Sequence, residues 1–136
     1  MILFLDANAL IYLIEGAEPF VSRVRGQLRA LEAAHPGAHM AVSRLTALEC
    51  RTGPMKAGDA SILSHYDAFF AQPDLVWVEL DATVIDLATA IRARHGLRTP
   101  DALQAACCLH LGPEHAFVTG DKAFGRVAGL NVVTLR

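Results

Sequence analysis

The chain has 136 residues, room for one full-sized hydrophobic core, so we expect a single domain spanning residues 1–136. Hydrophobic residues make up 53% of the sequence and charged residues 19%, a composition that excludes intrinsic disorder. The formal net charge of −2 shows none of the basic excess that is typical of nucleic-acid-binding proteins. A polyanionic partner would therefore need a local explanation.

Several features of the chain predict a cytoplasmic protein without a membrane span. No stretch approaches the roughly 18 consecutive apolar residues that a spanning helix needs. The apolar start at residues 1–5 meets Asp6 at once and lacks a basic segment, so it predicts structure rather than a signal peptide. Cys50, Cys107 and Cys108 are odd in number and form no C-x-x-C pair, which favours reduced thiols.

Hydrophobic periodicity alternates along the chain between strand and helix patterns. Short apolar runs rich in branched residues predict buried strands at residues 2–5, 40–42, 75–78, 116–118 and 131–135. Helical patterns lie between them at residues 9–14, 21–34, 43–51, 60–71, 84–91 and 102–111. The alternation predicts an α/β fold with a mostly parallel sheet covered by helices on both faces. Reactive groups of such sheets gather beyond the carboxyl ends of the strands, so the polar residues found there are the candidates.

Asp6 follows the first predicted strand directly, with Asn8 two positions further on. Both residue types are good helix N-caps, so a structural role is one interpretation and a functional role is the other. The segment 43–51 follows the second strand and is predicted to be helical, with Leu45 and Leu48 inward and Glu49 beside that apolar face. Glu49 is either a site residue or a solvated glutamate paired with a neighbouring arginine, Arg44 or Arg51.

Two further acids occupy comparable positions late in the chain. Asp101 lies in the first turn of a predicted helix that opens at Thr99-Pro100, where an acid also serves the helix dipole. Thr119-Gly120-Asp121 follows the strand at 116–118, and a simple turn explains it nearly as well as a site does. The functional interpretation gains weight because separate strands each deliver a carboxylate to the same edge of the sheet.

A cluster of carboxylates suits a hard divalent cation, since Mg²⁺ and Mn²⁺ prefer oxygen ligands and offset the mutual repulsion of the acids. Such a cation lowers the pKa of bound water and stabilises the attacking and leaving oxygens of a phosphodiester. The pattern therefore favours phosphodiester hydrolysis, with one ion or two. Asn8 and Thr119 would support the site by hydrogen-bonding its ligands or metal-bound waters.

The order and spacing of these motifs over nearly the whole chain resemble the PIN domain family. The matching residues are Asp6 after the first strand, Glu49 on an early helix, Thr99-Pro100-Asp101-Ala102 opening a late helix, and Thr119-Gly120-Asp121-Lys122-x-Phe124 after a late strand. Chain length and full coverage are similar to VapC-type toxins of toxin–antitoxin pairs. One departure is Gly120, which stands where the family often has a more polar residue.

The resemblance implies a three-layer αβα fold around a five-stranded parallel sheet. It implies a Mg²⁺- or Mn²⁺-dependent endoribonuclease, usually a homodimer, that is neutralised by a VapB-type antitoxin. The antitoxin's C-terminal segment would lie over the active groove and often insert an arginine among the acids. The catalytic and metal-binding quartet carried over from the family is Asp6, Glu49, Asp101 and Asp121, with Asn8 and Thr119 as supporting residues.

Three arginines adjoin the candidate site in sequence, and we expect Arg44, Arg51 and Arg98 to contact RNA phosphates. The apolar stretch 9–14, continued at Phe20 and Val21, exceeds what one helix on a small sheet requires, so we expect part of it to form a dimer or antitoxin contact.

Two other functions fit part of the pattern. One is a non-catalytic binding module whose acids dock a basic partner. The other is a phosphatase with an aspartyl nucleophile at Asp6, although that family needs a second aspartate where this chain has Asn8. A zinc site is disfavoured because Pro36-Gly37 separates His35 from His39, and no G-x-S-x-G motif indicates a serine nucleophile.

Overall fold

The computed structural model describes residues 1–135, in which five β-strands alternate with six α-helices and one 3₁₀ helix. In chain order the elements are β1 (Ile2–Leu5), α1 (Ala7–Glu15), α2 (Phe20–Ala34), β2 (His39–Ser43), α3 (Arg44–Ala57), α4 (Ala60–Phe70), β3 (Val76–Val78), α5 (Ala82–His95), α6 (Thr99–His110), β4 (His115–Thr119), the 3₁₀ helix (Lys122–Arg126) and β5 (Val132–Thr134). All five predicted strands are present, and the predicted helices differ from the observed ones mainly at their ends.

The five strands form one sheet in the order β3-β2-β1-β4-β5, and every pairing is parallel. Strands β2 and β3 lie on one side of β1, and β4 and β5 lie on its other side. Such a reversal of strand order opens a crevice at the carboxyl ends of the two central strands, where ligands of α/β proteins bind. Leu5 of β1 is in register with Val118 of β4, so Asp6 and Thr119 emerge side by side at this crevice.

Alternate residues of the central strands supply two hydrophobic cores, one on each face of the sheet. Leu3 and Leu5 of β1 pack beneath α1, α2 and α4, whereas Phe4 packs with Phe117 on the face covered by α5 and α6. This arrangement confirms the predicted three-layer αβα architecture. The cysteine thiols at positions 50, 107 and 108 are free and buried in these cores. No helix within residues 1–135 has both the length and the apolar character needed to span a membrane.

Helix α3 turns a different face to the core from the one that its leucines suggest. The prediction that Leu48 points inward is wrong, because its side chain is 62% exposed. The buried residues are Thr46, Ala47 and Cys50, and Leu48 lies about 200° around the helix from Thr46. Glu49 comes three positions after Thr46 and so lies on nearly the same side of the helix. Small and polar residues, not the leucines, therefore set how α3 presents Glu49.

Candidate active site

Asp6 serves both as a helix cap and as the innermost carboxylate of the crevice. Its Oδ1 accepts a hydrogen bond from the Ala9 backbone N–H at 2.8 Å, which caps α1. Its Oδ2 accepts one from the Thr119 hydroxyl at 2.5 Å. Only 4% of Asp6 is exposed. The two interpretations of Asp6 drawn from the sequence are therefore compatible.

Burial and neighbouring acids raise the pKa of two aspartates at the crevice, Asp6 and Asp101. Burial raises the pKa of Asp6 from 3.8 to about 6, against the lowering effect of the Thr119 and Ala9 hydrogen bonds, and the charges of Asp101 and Asp121 raise it further. Burial also raises the pKa of Asp101, where the nearby Arg98 opposes the rise and Asp121 adds to it. Buried or half-buried acids with only one exposed arginine beside them are costly in a stable fold, and such sets are typical of functional sites.

Thr119 connects Asp6 to the turn that carries Asp121. The buried Thr119 hydroxyl donates to Asp6 and accepts the Asp121 backbone N–H at 3.0 Å. Asp121 in turn caps the 3₁₀ helix through a 2.9 Å hydrogen bond from Ala123 N–H to its Oδ1. One hydroxyl thus fixes the relative placement of two of the four predicted acids.

Gly120 allows an aromatic side chain to lie against this turn. A Cβ at position 120 would stand 3.0 Å from Cε2 of Tyr12 on α1, closer than ordinary van der Waals contact. The Tyr12 ring also stacks on Phe20, with centroids 4.4 Å apart. The glycine that departs from the family pattern is therefore accommodated by a tyrosine on the neighbouring helix.

Glu49 reaches the crevice from α3, and no basic side chain within residues 1–135 forms an ion pair with it. The interpretation that Arg44 or Arg51 pairs with it is wrong, because Arg44 binds Glu79 and Arg51 lies 4.0 Å from Asp67. Glu49 Oε1 accepts a 3.1 Å hydrogen bond from the side-chain amide of Gln104 instead.

These groups line a cleft of about 290 Å³, which we call the acidic cleft. The cleft walls include Asn8, which is exposed, and Arg98, whose Nε lies 3.7 Å from Asp101 Oδ2. Asp121 and Thr119 do not line the cleft, although the charge of Asp121 raises the pKa of Asp6 and of Asp101, and Thr119 hydrogen-bonds to Asp6. The polar and charged side chains that line the cleft itself are Asp6, Asn8, Glu49, Arg98, Asp101 and Gln104.

Arg44 and Arg51 lie in a second depression, the arginine pocket, formed with Asp67, Phe70 and Trp77. The Arg44 guanidinium stacks on the Trp77 ring at 3.9 Å from its centroid and makes a two-pronged contact with Glu79. Of the three arginines expected to meet RNA, only Arg98 shares the acidic cleft. The other two follow the neighbouring strand along the same edge of the sheet.

The apolar surface is distributed differently from the expectation for residues 9–14. Leu10 and Val21 are buried in the core, while Ile11 to Ile14 are each half-buried. The most exposed large hydrophobic side chains are on α3, where Met55 is 64% and Leu48 is 62% exposed. Contact surface for a partner is therefore available on α3 as well as on α1.

The donor chemistry of the cleft suits a hard divalent cation, since the ionisable ligands gathered there are all carboxylates and one of them is buried. Across residues 1–135, no three histidine, cysteine, aspartate or glutamate side chains converge closely enough to hold a metal ion together. Asp6 is fixed by two hydrogen bonds, whereas Asp101 and Glu49 are only half-buried. The cleft therefore offers one buried carboxylate and two half-buried ones.

Comparison with known proteins agrees with this geometry. The family profile described as PIN domain matches residues 3–130. The chain belongs to the PIN domain family. The resemblance drawn from the acidic motifs is thereby confirmed.

Solved structures with the same fold cover nearly the entire chain. A chain of VapBC2 from Rickettsia felis, solved bound to a DNA fragment from their promoter, superposes with a TM-score of 0.78 at 19% identity, covering 98% of both chains. A toxin–antitoxin complex from Klebsiella pneumoniae gives a TM-score of 0.69 at 25% identity over 98% of this chain and 97% of that one. VapBC-1 from nontypeable Haemophilus influenzae gives 0.68 at 19% identity, with 99% and 98% covered. No curated protein sequence matches the chain.

Sequence reasoning missed three residues that connect the acids to the fold, namely Ser43, Thr46 and Gln104. All three are buried polar side chains bonded to one another. One signal was present in the sequence: Gln104 is a lone polar residue inside the apolar run 102–108, three positions after Asp101. That spacing puts it on the same side of α6 as the acid.

Proposed function

We propose that this PIN domain is a Mg²⁺- or Mn²⁺-dependent endoribonuclease of the VapC type. The observation that carries the proposal is the buried Asp6 carboxylate, whose pKa is raised toward neutrality by burial, with Asp101 and Asp121 adding to the rise. Carboxylates that repel one another at the switch point of a parallel sheet are suited to holding a cation. The family membership supports nuclease chemistry, and the similar solved structures support the toxin type.

In this proposal Asp6, Asp101, Glu49 and Asp121 hold the cation. When bound, such an ion lowers the pKa of a water and offsets the charge that develops on the phosphodiester. Thr119 keeps Asp6 oriented through the Oδ2 hydrogen bond, and the exposed Asn8 amide is available to an RNA oxygen. Arg98 has a side chain that is 86% exposed at the mouth of the cleft, where it can bind a phosphate next to the reacting one.

An aspartyl-phosphatase reaction is less well supported by the same geometry. Both carboxylate oxygens of Asp6 already accept hydrogen bonds, and the residue is 4% exposed. A nucleophile must be able to reach the phosphorus atom in line, which a buried and doubly bonded carboxylate cannot do without moving.

We further propose that a VapB-type antitoxin neutralises the protein in a cytoplasmic setting and that the free chain forms a homodimer. Three similar structures are described as VapBC or toxin–antitoxin complexes, which supports the antitoxin. Exposed apolar side chains on α3 offer contact surface for either partner. Sedimentation of the purified chain as a monomer at micromolar concentration would contradict the homodimer.

Cleavage of structured RNA by the purified chain tests the proposal. We expect cleavage with Mg²⁺ or Mn²⁺, none with EDTA, and none by Asp6→Asn or Asp101→Asn with any of these additions. Equal cleavage by wild type and variants would indicate a contaminating nuclease. Failure of the wild type to cleave any RNA would favour the module that only binds a basic partner.

A further inference from the structure

Gln104 is a buried amide in a helix segment that is otherwise apolar. It is 3% exposed on α6, and the surrounding buried positions of that helix carry alanine or cysteine: Ala102, Ala105, Ala106, Cys107 and Cys108. A buried amide is tolerated only when its polar atoms find hydrogen-bond partners. The partners of Gln104 therefore indicate why a polar residue stands there.

Three side chains from β2, α3 and α6 form a closed ring of hydrogen bonds. Ser43 Oγ donates to Gln104 Oε1 at 2.9 Å, and Gln104 Nε2 donates to Thr46 Oγ1 at 2.8 Å. Thr46 Oγ1 and Ser43 Oγ lie 3.3 Å apart. Since the Ser43 proton is already used, the Thr46 hydroxyl donates across this last gap, and every member of the ring is satisfied.

The remaining N–H of the Gln104 amide points at the candidate site, where it donates to Glu49 Oε1 at 3.1 Å. An ionised carboxylate can only accept, so the amide nitrogen and not its oxygen must face Glu49. The hydroxyls of Ser43 and Thr46 can each donate or accept, so the ring accommodates this orientation, with Ser43 supplying the proton for Oε1. The amide is therefore locked in one of its two possible orientations.

We propose that Gln104 is a positioning residue that holds the Glu49 carboxylate toward the acidic cleft. This role rests on the proposed function. A neutral amide can orient one carboxylate oxygen without neutralising it, whereas an arginine or lysine would cancel the charge that attracts a cation. Glu49 then keeps its full charge and its second oxygen for a divalent ion, on a side chain that α3 alone would leave free to rotate.

A Mn²⁺-binding titration of the full chain tests this role without RNA. The electron paramagnetic resonance signal of free Mn²⁺ measures how much of the ion remains unbound. Gln104→Met keeps the length of the side chain and removes its hydrogen bonds. We expect about tenfold weaker Mn²⁺ binding, the scale on which residues behind metal ligands act. Leu109→Ala on the same helix is the control for general destabilisation, since it removes core packing from α6 without touching the ring. It should lower the thermal midpoint while leaving Mn²⁺ affinity unchanged.

A double mutant separates positioning from general disruption. If Gln104 acts through Glu49, then Gln104→Met should weaken Mn²⁺ binding by less than about twofold when Glu49→Gln is already present. The inference is overturned if Gln104→Met binds Mn²⁺ as the wild type does, or if the two losses add. Should Gln104→Met fold poorly, Thr46→Val loosens the ring and keeps the Glu49 contact. An intermediate loss of affinity then supports the role, and wild-type affinity overturns it.

The two proposals fail in different ways. A wild-type chain that neither binds Mn²⁺ nor cleaves RNA refutes the metal-dependent nuclease, and the positioning role with it. A wild type that does both, while Gln104→Met retains its Mn²⁺ affinity, refutes only the role of Gln104.

Discussion

The acidic cleft and the arginine pocket lie along the same edge of one sheet, yet their charges are arranged in opposite ways. In the arginine pocket the charges are paired: Arg44 binds Glu79 at 2.7 Å and lowers the pKa of that glutamate. In the acidic cleft the pKa of Asp6 and of Asp101 is raised, by burial first and by neighbouring acids second. Ion pairs of the first kind belong to the exposed surface, whereas carboxylates whose pKa is raised by burial and by neighbouring acids are typical of functional sites.

The comparison also shows how a chain with a net charge of −2 could act on the polyanion that the proposed function requires. The excess negative charge of the cleft is local, and a bound divalent cation would offset it where the proposed RNA substrate would approach. Net charge describes the whole chain, while the substrate responds to the field at the cleft.

The largest expected difference between the two regions is in catalysis. Removing one carboxylate charge from each gives a matched pair, Asp101→Asn in the cleft and Glu79→Gln in the pocket. Loss of a metal ligand removes several kcal/mol of transition-state stabilisation, so we expect Asp101→Asn to slow Mn²⁺-dependent RNA cleavage at least about 100-fold. Glu79→Gln should retain cleavage within about threefold. Similar losses in single-turnover assays would contradict a functional distinction between the regions.

The next effect concerns stability and its dependence on pH. Because the folded pKa of Asp6 exceeds the unfolded one, the native state retains the proton between about pH 4 and pH 6. The contribution of Asp6 to the free energy of unfolding is therefore greatest below pH 4 and is lost as the pH rises through 6. The elevation of the Asp6 pKa from 3.8 to about 6 corresponds to about 3 kcal/mol of stability lost above pH 6. A substitution that removes the charge recovers this loss, but disturbing the Thr119 hydrogen bond offsets about 1 kcal/mol of the gain.

Asp6→Asn should accordingly increase the free energy of unfolding by about 2 kcal/mol at pH 7.5 in EDTA, with the gain vanishing near pH 4. Urea unfolding at both pH values measures it. Asp81→Asn is the control, because Asp81 caps α5 through Val84 N–H in the same way but is exposed. Asparagine at position 81 should give no such gain. If Asp6→Asn is no more stable than wild type at pH 7.5, burial of the ionised Asp6 carboxylate does not destabilise the fold.

The smallest effect concerns the arginines. Arg98 is 86% exposed beside the cleft, whereas Arg44 is held by Glu79 and Trp77. In the non-cleaving Asp6→Asn background, Arg98→Ala should reduce the salt-dependence slope of RNA binding by about 0.7, the value for one contact to a single strand. Arg44→Ala and Arg51→Ala should each reduce the slope by less, and Arg25→Ala on α2 serves as a control for bulk charge.

Fluorescence anisotropy with labelled RNA at several salt concentrations measures these slopes. An unchanged slope after all three substitutions would refute RNA contacts by these arginines.

Local patterns predicted most of the fold because the determining interactions are close in sequence. Buried parallel strands appear as continuous apolar runs; Asp6 stands directly after β1, and Asp121 stands two residues after the end of β4. Parallel order then brings both acids to one edge. Helix orientation was less predictable: the leucines of α3 suggested one inward face, while Thr46, Ala47 and Cys50 form the actual one.

The sequence by itself determined the alternation of strands and helices, the family, and the acids that follow the strands. Only the tertiary structure decided which charges are paired, since the partners of Arg44 and Glu49 lie 35 and 55 residues away along the chain. The same holds for Gln104, whose ring joins three elements. Hydrophobic periodicity is a property of neighbours in sequence, whereas hydrogen bonds and ion pairs depend on which helices the packed sheet brings together.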